Sequence, residues 1–156
     1  GYWNKKEDTE KTIKDGWLYT GDIGEIDPQD GYLKITDRKK DIIVSAGGDN
    51  ISPAKIENQL SNFYEIDQCV VYGEGKNYLV AIIVPNKDFF EKKEKIKEII
   101  KNVNQKLSIV EKIKKFEIVK ENFSIENGLL TPTMKVKRNK VFAKYKNILE
   151  NSYKKY

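Results

Sequence analysis

Residues 69–84, which read CVVYGEGKNYLVAIIV, give the strongest indication of the fold class. Two apolar runs, 69–72 and 78–84, flank the polar, glycine-containing segment 73–77, a pattern that predicts a β-hairpin. The second run is apolar at nearly every position, which is typical of a strand buried on both faces in the middle of a sheet. We therefore expect the core of a sheet at this point, with other elements packed around it.

Helices are predicted on both sides of this hairpin. Ser52 and Pro53 suit the N-cap and first position of a helix whose Ile56, Leu60 and Phe63 share one face. Further along, the pattern predicts lysine-rich helices at 87–101 and 103–114 and a short strand at 116–119. A final amphipathic helix is predicted around Val141, Tyr145 and Leu149. The order βαββααβ, followed by a helix, predicts an α+β fold with a small sheet and helices packed on it.

In the first quarter of the chain, apolar and polar residues alternate with the two-residue period of β-strands. Residues 23–26 and 32–35 alternate on either side of the turn 27–31, which predicts a second hairpin. The charged cluster 37–40 separates it from a short strand at 41–45. The cluster is therefore a candidate joint between two strand systems.

Composition limits the chemistry that the chain can perform. The chain of 156 residues has no histidine, which excludes Ser-His-Asp and Cys-His mechanisms and most zinc sites. Its one cysteine, Cys69, lies in an apolar run and is predicted to be a buried structural thiol. Any acid, base or electrophile must then be Asp, Glu, Lys, Arg or Tyr.

The net charge of +5 leaves two interpretations open. Lysines between residues 89 and 120 alternate with glutamates, as on a solvated helix face, but residues 137–156 are one-sidedly basic. This segment is either a solvated helix or a surface that attracts phosphate-bearing ligands. A basic interaction or nucleic-acid-binding module is the non-enzymatic alternative, although no RNP-like aromatic motif or helix-turn-helix pattern supports it.

Four motifs resemble those of adenylate-forming enzymes, in the versions seen in long-chain acyl-CoA synthetases. They are DGWLYTGD (15–22), GYLKITDRKKD (31–41), GGDNISPAKIE (47–57) and LTPTMK (130–135), in the family's order and spacing. The resemblance covers about residues 1–150. It implies that 1–39 is the tail of a large N-terminal AMP-binding domain and that 40–156 is a mobile C-terminal domain.

The resemblance implies nucleotide contacts in the first part of the chain. Asp22 corresponds to the carboxylate that binds both ribose hydroxyls of ATP, because two acceptor oxygens suit a vicinal diol. Arg38 corresponds to an arginine that also contacts the nucleotide, where its planar donors suit ribose and phosphate oxygens. The alternative for Arg38 is a surface ion pair with Asp37 or Asp41.

The remaining implied site residues lie later in the chain. Lys40 corresponds to the hinge, while Gly47 and Gly48 correspond to the loop beside the CoA channel. Lys135 corresponds to the catalytic lysine, whose ammonium would offset charge on the phosphoryl oxygens during attack of the acid on ATP. We expect residues 131–133 to form an extended loop before it. Asp49 departs from the family, in which glutamate is commoner, and this puts fine positioning of the glycine loop in doubt.

The implied activity has two half-reactions: a fatty acid and ATP give acyl-AMP and pyrophosphate, and the CoA thiol then displaces AMP. Because the first residue is Gly1, we expect missing upstream sequence that holds the acyl tunnel, the phosphate-binding loop and the Mg²⁺ ligand. The fragment alone is expected to be inactive, cytoplasmic and without a nucleic-acid partner, with peripheral membrane association of the full-length enzyme left open. Other acid-thiol ligases and luciferase-like enzymes remain alternatives, since chain-length selectivity is set upstream.

Overall fold

The computed structural model describes residues 1–154, which divide into two compact units. The N-terminal unit is Gly1–Asp41, and the C-terminal unit begins at Ile42. The boundary follows the charged cluster 37–40 that the sequence marked as a candidate joint.

The N-terminal unit contains one short helix and two small antiparallel ribbons, β1–β2 and β3–β4. Its elements are α1 (Lys6–Thr12), β1 (Ile13–Lys14), β2 (Trp17–Leu18), β3 (Asp22–Ile26) and β4 (Leu33–Arg38). The predicted hairpin is confirmed, and the Gly31 N–H closes its turn by donating to the Asp27 carbonyl at 2.9 Å. No hydrophobic residue of this unit is buried.

The C-terminal unit contains a short hairpin, a three-stranded sheet and four α-helices. Its elements are β5 (Ile43–Val44), β6 (Asn50–Ile51), α2 (Pro53–Ser61), β7 (Ile66–Tyr72), β8 (Leu79–Pro85), a 3₁₀ turn (Lys87–Phe89), α3 (Lys93–Gln105), β9 (Ile113–Ile118), α4 (Arg138–Lys144) and α5 (Lys146–Tyr153). The predicted α+β class, with a small sheet and helices packed on it, is confirmed.

Strand β8 lies in the middle of the sheet, as its apolar run predicts. It pairs antiparallel with β7 and parallel with β9, and α3 makes the connection between the two parallel strands. Side chains of β8 alternate between two apolar clusters, so Ala81 and Ile83 face one and Ile82 and Val84 face the other. All seven of its residues are buried because both faces of the sheet are covered.

Helices α2 and α3 cover one face of this sheet through apolar residues that include Ile56, Leu60 and Ile96. The other face is covered by the segment from Val119 to Leu130 and by helices α4 and α5. Ser52 caps α2, with its hydroxyl accepting from the Lys55 N–H at 3.3 Å, as predicted.

The prediction of a helix over 103–114 is wrong. Helix α3 ends at Gln105, and β9 begins at Ile113 rather than at residue 116. The side-chain amide of Asn104 explains this, because it donates to the Ile113 carbonyl at 2.8 Å and accepts from the Ile113 N–H at 2.9 Å. Asn104 thereby supplies the hydrogen bonds of a strand neighbour to the start of β9.

The final helix is also divided. Tyr145 lies outside helical geometry between α4 and α5, although Val141, Tyr145 and Leu149 are all buried as the periodicity predicts. Among residues 1–154, no helix combines the length and the apolar character that crossing a bilayer requires.

Candidate functional site

Lys135 lies on a tight turn, residues 131–135, which we call the lysine turn. The Thr131 N–H donates to the Lys135 carbonyl at 2.8 Å, and the Lys135 N–H donates to the Thr131 hydroxyl at 3.0 Å. The expected extended loop is therefore wrong, because these hydrogen bonds close the segment on itself. The side chain of Lys135 is exposed, and no carboxylate of the described residues lies within 4.0 Å of its ammonium.

Met134, immediately before Lys135, has a backbone φ of 61°, in the left-handed region that non-glycine residues rarely adopt. Its N–H donates to the Thr131 carbonyl at 2.9 Å. Holding such a conformation costs on the order of 1 kcal/mol, which the surrounding turn must offset. The residue before the predicted catalytic lysine is thus held in an unfavourable geometry by its neighbours.

A buried ion pair anchors the chain just after the lysine turn. The guanidinium of Arg138 makes two hydrogen bonds of 2.6 Å to the two carboxylate oxygens of Glu57, and both side chains are largely buried. Glu57 also accepts from the Val71 N–H at 2.8 Å. The pair joins α4 to α2 and β7, and so fixes one end of the lysine turn on the sheet. The sequence gives no signal for it, because the partners lie 81 residues apart.

Gly47 and Gly48 lie in the loop between β5 and β6, residues 45–49, which we call the glycine loop. The Gly48 N–H donates to the Ser45 carbonyl at 2.9 Å, and the Ser45 N–H donates to the Asp49 carbonyl at 3.0 Å. Gly48 has a φ of 87°, which only glycine adopts readily. Both glycines are exposed at the tip of this loop.

Asp49 has a structural role that its departure from the family did not predict. Its carboxylate accepts from the Ser45 hydroxyl at 2.8 Å, inside the glycine loop. The short side chain of aspartate allows this bond to close across four residues. The structure thus connects the Asp49 carboxylate to the shape of the loop.

The β7–β8 turn holds the glycine loop from outside. The Ala46 N–H donates to the Lys76 carbonyl at 3.0 Å, and the Gly75 N–H donates to the Val44 carbonyl at 2.9 Å. The Glu74 carboxylate accepts from the Val44 N–H at 2.9 Å. The loop is therefore attached to the same sheet that supports the lysine turn.

Asp22 and Arg38 are brought together within the N-terminal unit. The two residues lie opposite each other on the paired strands β3 and β4, and the Nε of Arg38 lies 3.1 Å from the Oδ1 of Asp22. The guanidinium of Arg38 thus contacts the other predicted nucleotide ligand, while the Asp37 carboxylate accepts from the backbone N–H of Arg38 at 2.7 Å. The Asp22 side chain is 27% exposed and the Arg38 side chain 51%, so both remain accessible.

Lys40 lies in the turn 39–41, at the end of the N-terminal unit. The turn is closed by the Asp41 N–H, which donates to the Arg38 carbonyl at 2.9 Å. Lys40 is exposed and follows the last residue of β4 by two positions.

Much of the basic C-terminal segment is already paired. Arg138 contacts Glu57, Lys144 contacts Glu121 at 2.5 Å, and Lys146 lies 3.7 Å from Glu150. Lys155 lies outside the described residues. The paired cations reduce the positive charge that this segment presents to a polyanion.

Cys69 is buried, as predicted. Burial, together with the nearby Glu57 carboxylate, raises the pKa of Cys69 from its ordinary value of 9.0 to about 12. Its Sγ lies 3.6 Å from the Glu57 carbonyl. A thiol that remains protonated and has no access to solvent is inert toward nucleophilic chemistry.

The amino-acid sequence is similar to a described domain family and to long-chain-fatty-acid CoA ligases. Residues 40–156 match the family model described as the AMP-binding enzyme C-terminal domain. The chain is 39% identical to the long-chain-fatty-acid CoA ligase FadD15 of Mycobacterium tuberculosis, covering 99% of this chain and 29% of that protein. It is 43% identical to long-chain-fatty-acid CoA ligase 5 of Mus musculus, covering 88% of this chain and 24% of that protein.

Solved structures show the same similarity. The adenylation domain of a carboxylate reductase from Mycobacterium chelonae superposes with a TM-score of 0.88 at 28% identity, covering 98% of this chain and 26% of that one. A fatty acyl CoA synthetase of Mycobacterium tuberculosis gives a TM-score of 0.58 at 31% identity, covering 92% and 27%. The chain thus spans less than a third of the length of these relatives. It belongs to the AMP-binding enzyme C-terminal domain family.

Proposed function

We propose that this chain is the C-terminal portion of an ATP-dependent fatty acid:CoA ligase and that Lys135 is its catalytic lysine for adenylate formation. The observation that supports this most is the lysine turn, which holds the backbone on both sides of Lys135 while leaving its side chain exposed. An ammonium on such a turn, with no carboxylate partner among residues 1–154, is available to a phosphate brought by another part of the enzyme. The names of the curated relatives, long-chain-fatty-acid CoA ligases, support the substrate class.

In the first half-reaction, the fatty acid carboxylate attacks the α-phosphate of ATP and pyrophosphate leaves. Negative charge on the phosphoryl oxygens needs a fixed positive partner, and positioning with electrostatic stabilisation supplies most of the catalysis in phosphoryl transfer. We assign that partner to Lys135. In the second half-reaction, the CoA sulfur forms a bond to the acyl carbon and AMP leaves with the electron pair of the broken C–O bond; in this proposal the domain swing has by then withdrawn Lys135 from the phosphate.

Asp22 and Arg38 are proposed to bind the nucleotide together. The carboxylate of Asp22 has an oxygen available for the ribose hydroxyls when Arg38 holds the other, since each carboxylate oxygen accepts more than one hydrogen bond. Arg38 keeps further N–H donors for ribose or phosphate oxygens.

The switch between the half-reactions is proposed to occur by domain alternation about Lys40. In this proposal, residues 1–39 belong to the large N-terminal domain and residues 40–156 form the mobile domain, which brings Gly47 and Gly48 to the pantetheine arm of CoA. The exposed apolar side chains of β3 and β4, such as Ile26, Leu33 and Ile35, support this division because they need a larger domain to cover them.

ATP and CoA are the expected co-substrates, and Mg²⁺ accompanies ATP in the proposed enzyme. The described residues include no group of three or more His, Cys, Asp or Glu side chains that could hold a metal ion. We propose that the Mg²⁺ ligand lies in the upstream part of the enzyme. This portion of the enzyme is expected to be inactive alone.

The test is Lys135→Ala in the full-length protein that contains this chain, with Lys137→Ala as the matched control. Adenylate formation, measured by fatty-acid-dependent exchange of pyrophosphate into ATP, should fall by about 100-fold or more. Thioester formation from supplied acyl-AMP should stay within about threefold of the unmutated enzyme, since only a stabilising contact of the first transition state is removed. Equal loss of both half-reactions would contradict the assignment.

The alternatives predict different results. Another acid-thiol ligase or a luciferase-like enzyme would adenylate aryl or short-chain acids in preference to fatty acids, which a panel of acids in the exchange assay distinguishes. A nucleic-acid-binding module would bind DNA or RNA with an affinity that falls steeply as salt rises.

A further inference from the structure

The glycine loop and the lysine turn are each closed by one side-chain hydroxyl. Ser45 closes the first and Thr131 the second, and in both cases the hydroxyl accepts from the backbone N–H of the residue four positions later. Neither residue has yet been assigned a role in either half-reaction. Both hydroxyls lie beside a segment that is proposed to meet a substrate.

Ser45 uses its full hydrogen-bonding capacity within the glycine loop. Its Oγ accepts from the Gly47 N–H at 3.2 Å and from the Asp49 N–H at 3.1 Å, and its O–H donates to the Asp49 carboxylate at 2.8 Å. A hydroxyl has one donor and two acceptor positions, so all three are occupied. The Ser45 hydroxyl therefore holds the Gly47 N–H at the tip of the loop, in addition to the backbone hydrogen bonds that close the loop.

Thr131 has the corresponding role in the lysine turn. Its Oγ1 accepts from the Lys135 N–H at 3.0 Å and lies 3.0 Å from the Thr133 hydroxyl. The backbone carbonyl of Thr131 accepts from Met134, whose left-handed conformation the turn must maintain. The direction in which the Lys135 side chain leaves the backbone is therefore fixed by the bonds that Thr131 makes.

The two hydroxyls act on different segments. No hydrogen bond of the described residues joins residues 45–49 directly to residues 131–135, and each segment has its own attachment to the sheet. Ala46 is held by the β7–β8 turn, while Lys137 donates to the Leu129 carbonyl at 2.8 Å beside the lysine turn. Loss of one hydroxyl should loosen one segment and leave the other in place.

We propose that Ser45 and Thr131 are positioning residues, each for one half-reaction: Thr131 orients Lys135 for adenylate formation, and Ser45 orients the Gly47–Gly48 backbone for thioester formation. This inference rests on the proposed function for the identity of the half-reactions. The hydrogen bonds themselves do not depend on it, so the two can be tested apart.

The first experiment uses the 156-residue chain and needs no activity. Backbone amide exchange is measured by NMR for Thr131→Val, which keeps the shape and removes the hydroxyl, and for Ser45→Ala. We expect Thr131→Val to accelerate exchange at Lys135 by at least about fivefold and Ser45→Ala to do so at Gly47 and Asp49. Thr131→Ser and Ser45→Thr keep the hydroxyl and should preserve the slow exchange. Where valine does not fit, Thr131→Ala repeats the test.

The second experiment measures both half-reactions in the full-length enzyme. Thr131→Val should lower pyrophosphate exchange by at least about fivefold through kcat with little change in KM for ATP, and it should spare thioester formation from supplied acyl-AMP. Ser45→Ala should show the opposite pattern. The hydroxyl-retaining variants should restore each activity.

The outcomes separate the two proposals. If removal of either hydroxyl leaves amide exchange unchanged, or accelerates it equally in both segments, the positioning inference is wrong whatever the enzyme does. If exchange behaves as expected but both variants lower both half-reactions equally, the hydroxyls support folding only and the inference is also wrong. If the unmutated full-length enzyme fails to adenylate any acid, the proposed function fails, and the assignment of Ser45 and Thr131 to half-reactions fails with it.

Discussion

The β3–β4 hairpin of the N-terminal unit and the β7–β8 hairpin of the C-terminal unit are both antiparallel, yet their side chains have opposite surroundings. Leu33 and Ile35 on β4 are 67% and 57% exposed, whereas Ile82 and Ile83 on β8 are fully buried. Full burial of such a side chain contributes about 1.5–3 kcal/mol, so the second hairpin is held by a core and the first by little more than its backbone. A two-stranded ribbon with an uncovered apolar face is marginally stable in water. A sequence that favours a hairpin locally therefore does not by itself make a stable folded unit.

The largest expected effect follows from cutting the chain between Asp41 and Ile42. Residues 42–156 should fold alone and unfold cooperatively, because all of the buried hydrophobic residues among those described lie in this part. Residues 1–41 as a peptide should be largely unstructured, since no hydrophobic residue there is buried. Circular dichroism and thermal melts of the two pieces check this.

A cooperative thermal transition in the 1–41 peptide would contradict the comparison. The control is a second cut inside the C-terminal unit, between Asn86 and Lys87, which separates β8 from its parallel partner β9. Neither product of that cut should fold, because β8 would lose the cover of α3 on one face of the sheet.

Each unit contains one arginine–carboxylate pair, and removing these pairs should change stability less than cutting the chain does. Arg138 and Glu57 are joined by two bonds of 2.6 Å and are 20% and 14% exposed, so Glu57→Gln should lower the free energy of unfolding by about 2–3 kcal/mol. Arg38 and Asp22 are 51% and 27% exposed, and Asp22→Asn should change it by less than about 1 kcal/mol. Urea unfolding of the two variants measures both values.

An equal loss of unfolding free energy in the two variants would contradict this prediction. It would mean that each unit depends equally on its ion pair. Arg38→Lys and Arg138→Lys are matched controls, because lysine keeps the charge and loses the two-pronged geometry. Arg138→Lys should lower the free energy of unfolding, whereas Arg38→Lys should hardly change it.

The sequence predicts the parts of the fold that depend on local periodicity. The run 78–84 predicts β8 because a strand covered on both sides is apolar at every position, and Ser52-Pro53 predicts the start of α2 through capping chemistry. The end of α3 could not be predicted, since it depends on one Asn104 amide reaching Ile113 across a turn. In the same way, the break at Tyr145 is not visible in a periodicity that continues through it.

The candidate site divides along the same line. The positions of five predicted site residues could be taken from ordered motifs: Asp22, Arg38, Gly47, Gly48 and Lys135. The pairing of Asp22 with Arg38 could not, because it depends on a register shift between Ile23 and Gly24. The hydroxyls of Ser45 and Thr131 and the Glu57–Arg138 pair could not, because serine and threonine are common in turns and the ion pair spans 81 residues. Roles that depend on packing appear only when the chain is folded.

The buried thiol of Cys69 tests how well β7 is covered in the C-terminal unit. The folded-state pKa of Cys69 is about 12 against an ordinary value of 9.0, so below pH 9 the thiol is protonated in both states and makes no pH-dependent contribution. Between pH 9 and 12 the unfolded chain loses this proton and the folded chain keeps it, so stability falls as pH rises. From pH 8 to pH 10, the free energy of unfolding should drop by about 1 kcal/mol more in the unmutated chain than in Cys69→Ala. Contributions that the two chains share cancel in the difference. Adding Ile35→Cys to the Cys69→Ala chain places a thiol on the exposed face of β4, where no such pH dependence should appear. An equal drop in the free energy of unfolding in that chain would show that β4 is as well covered as β7.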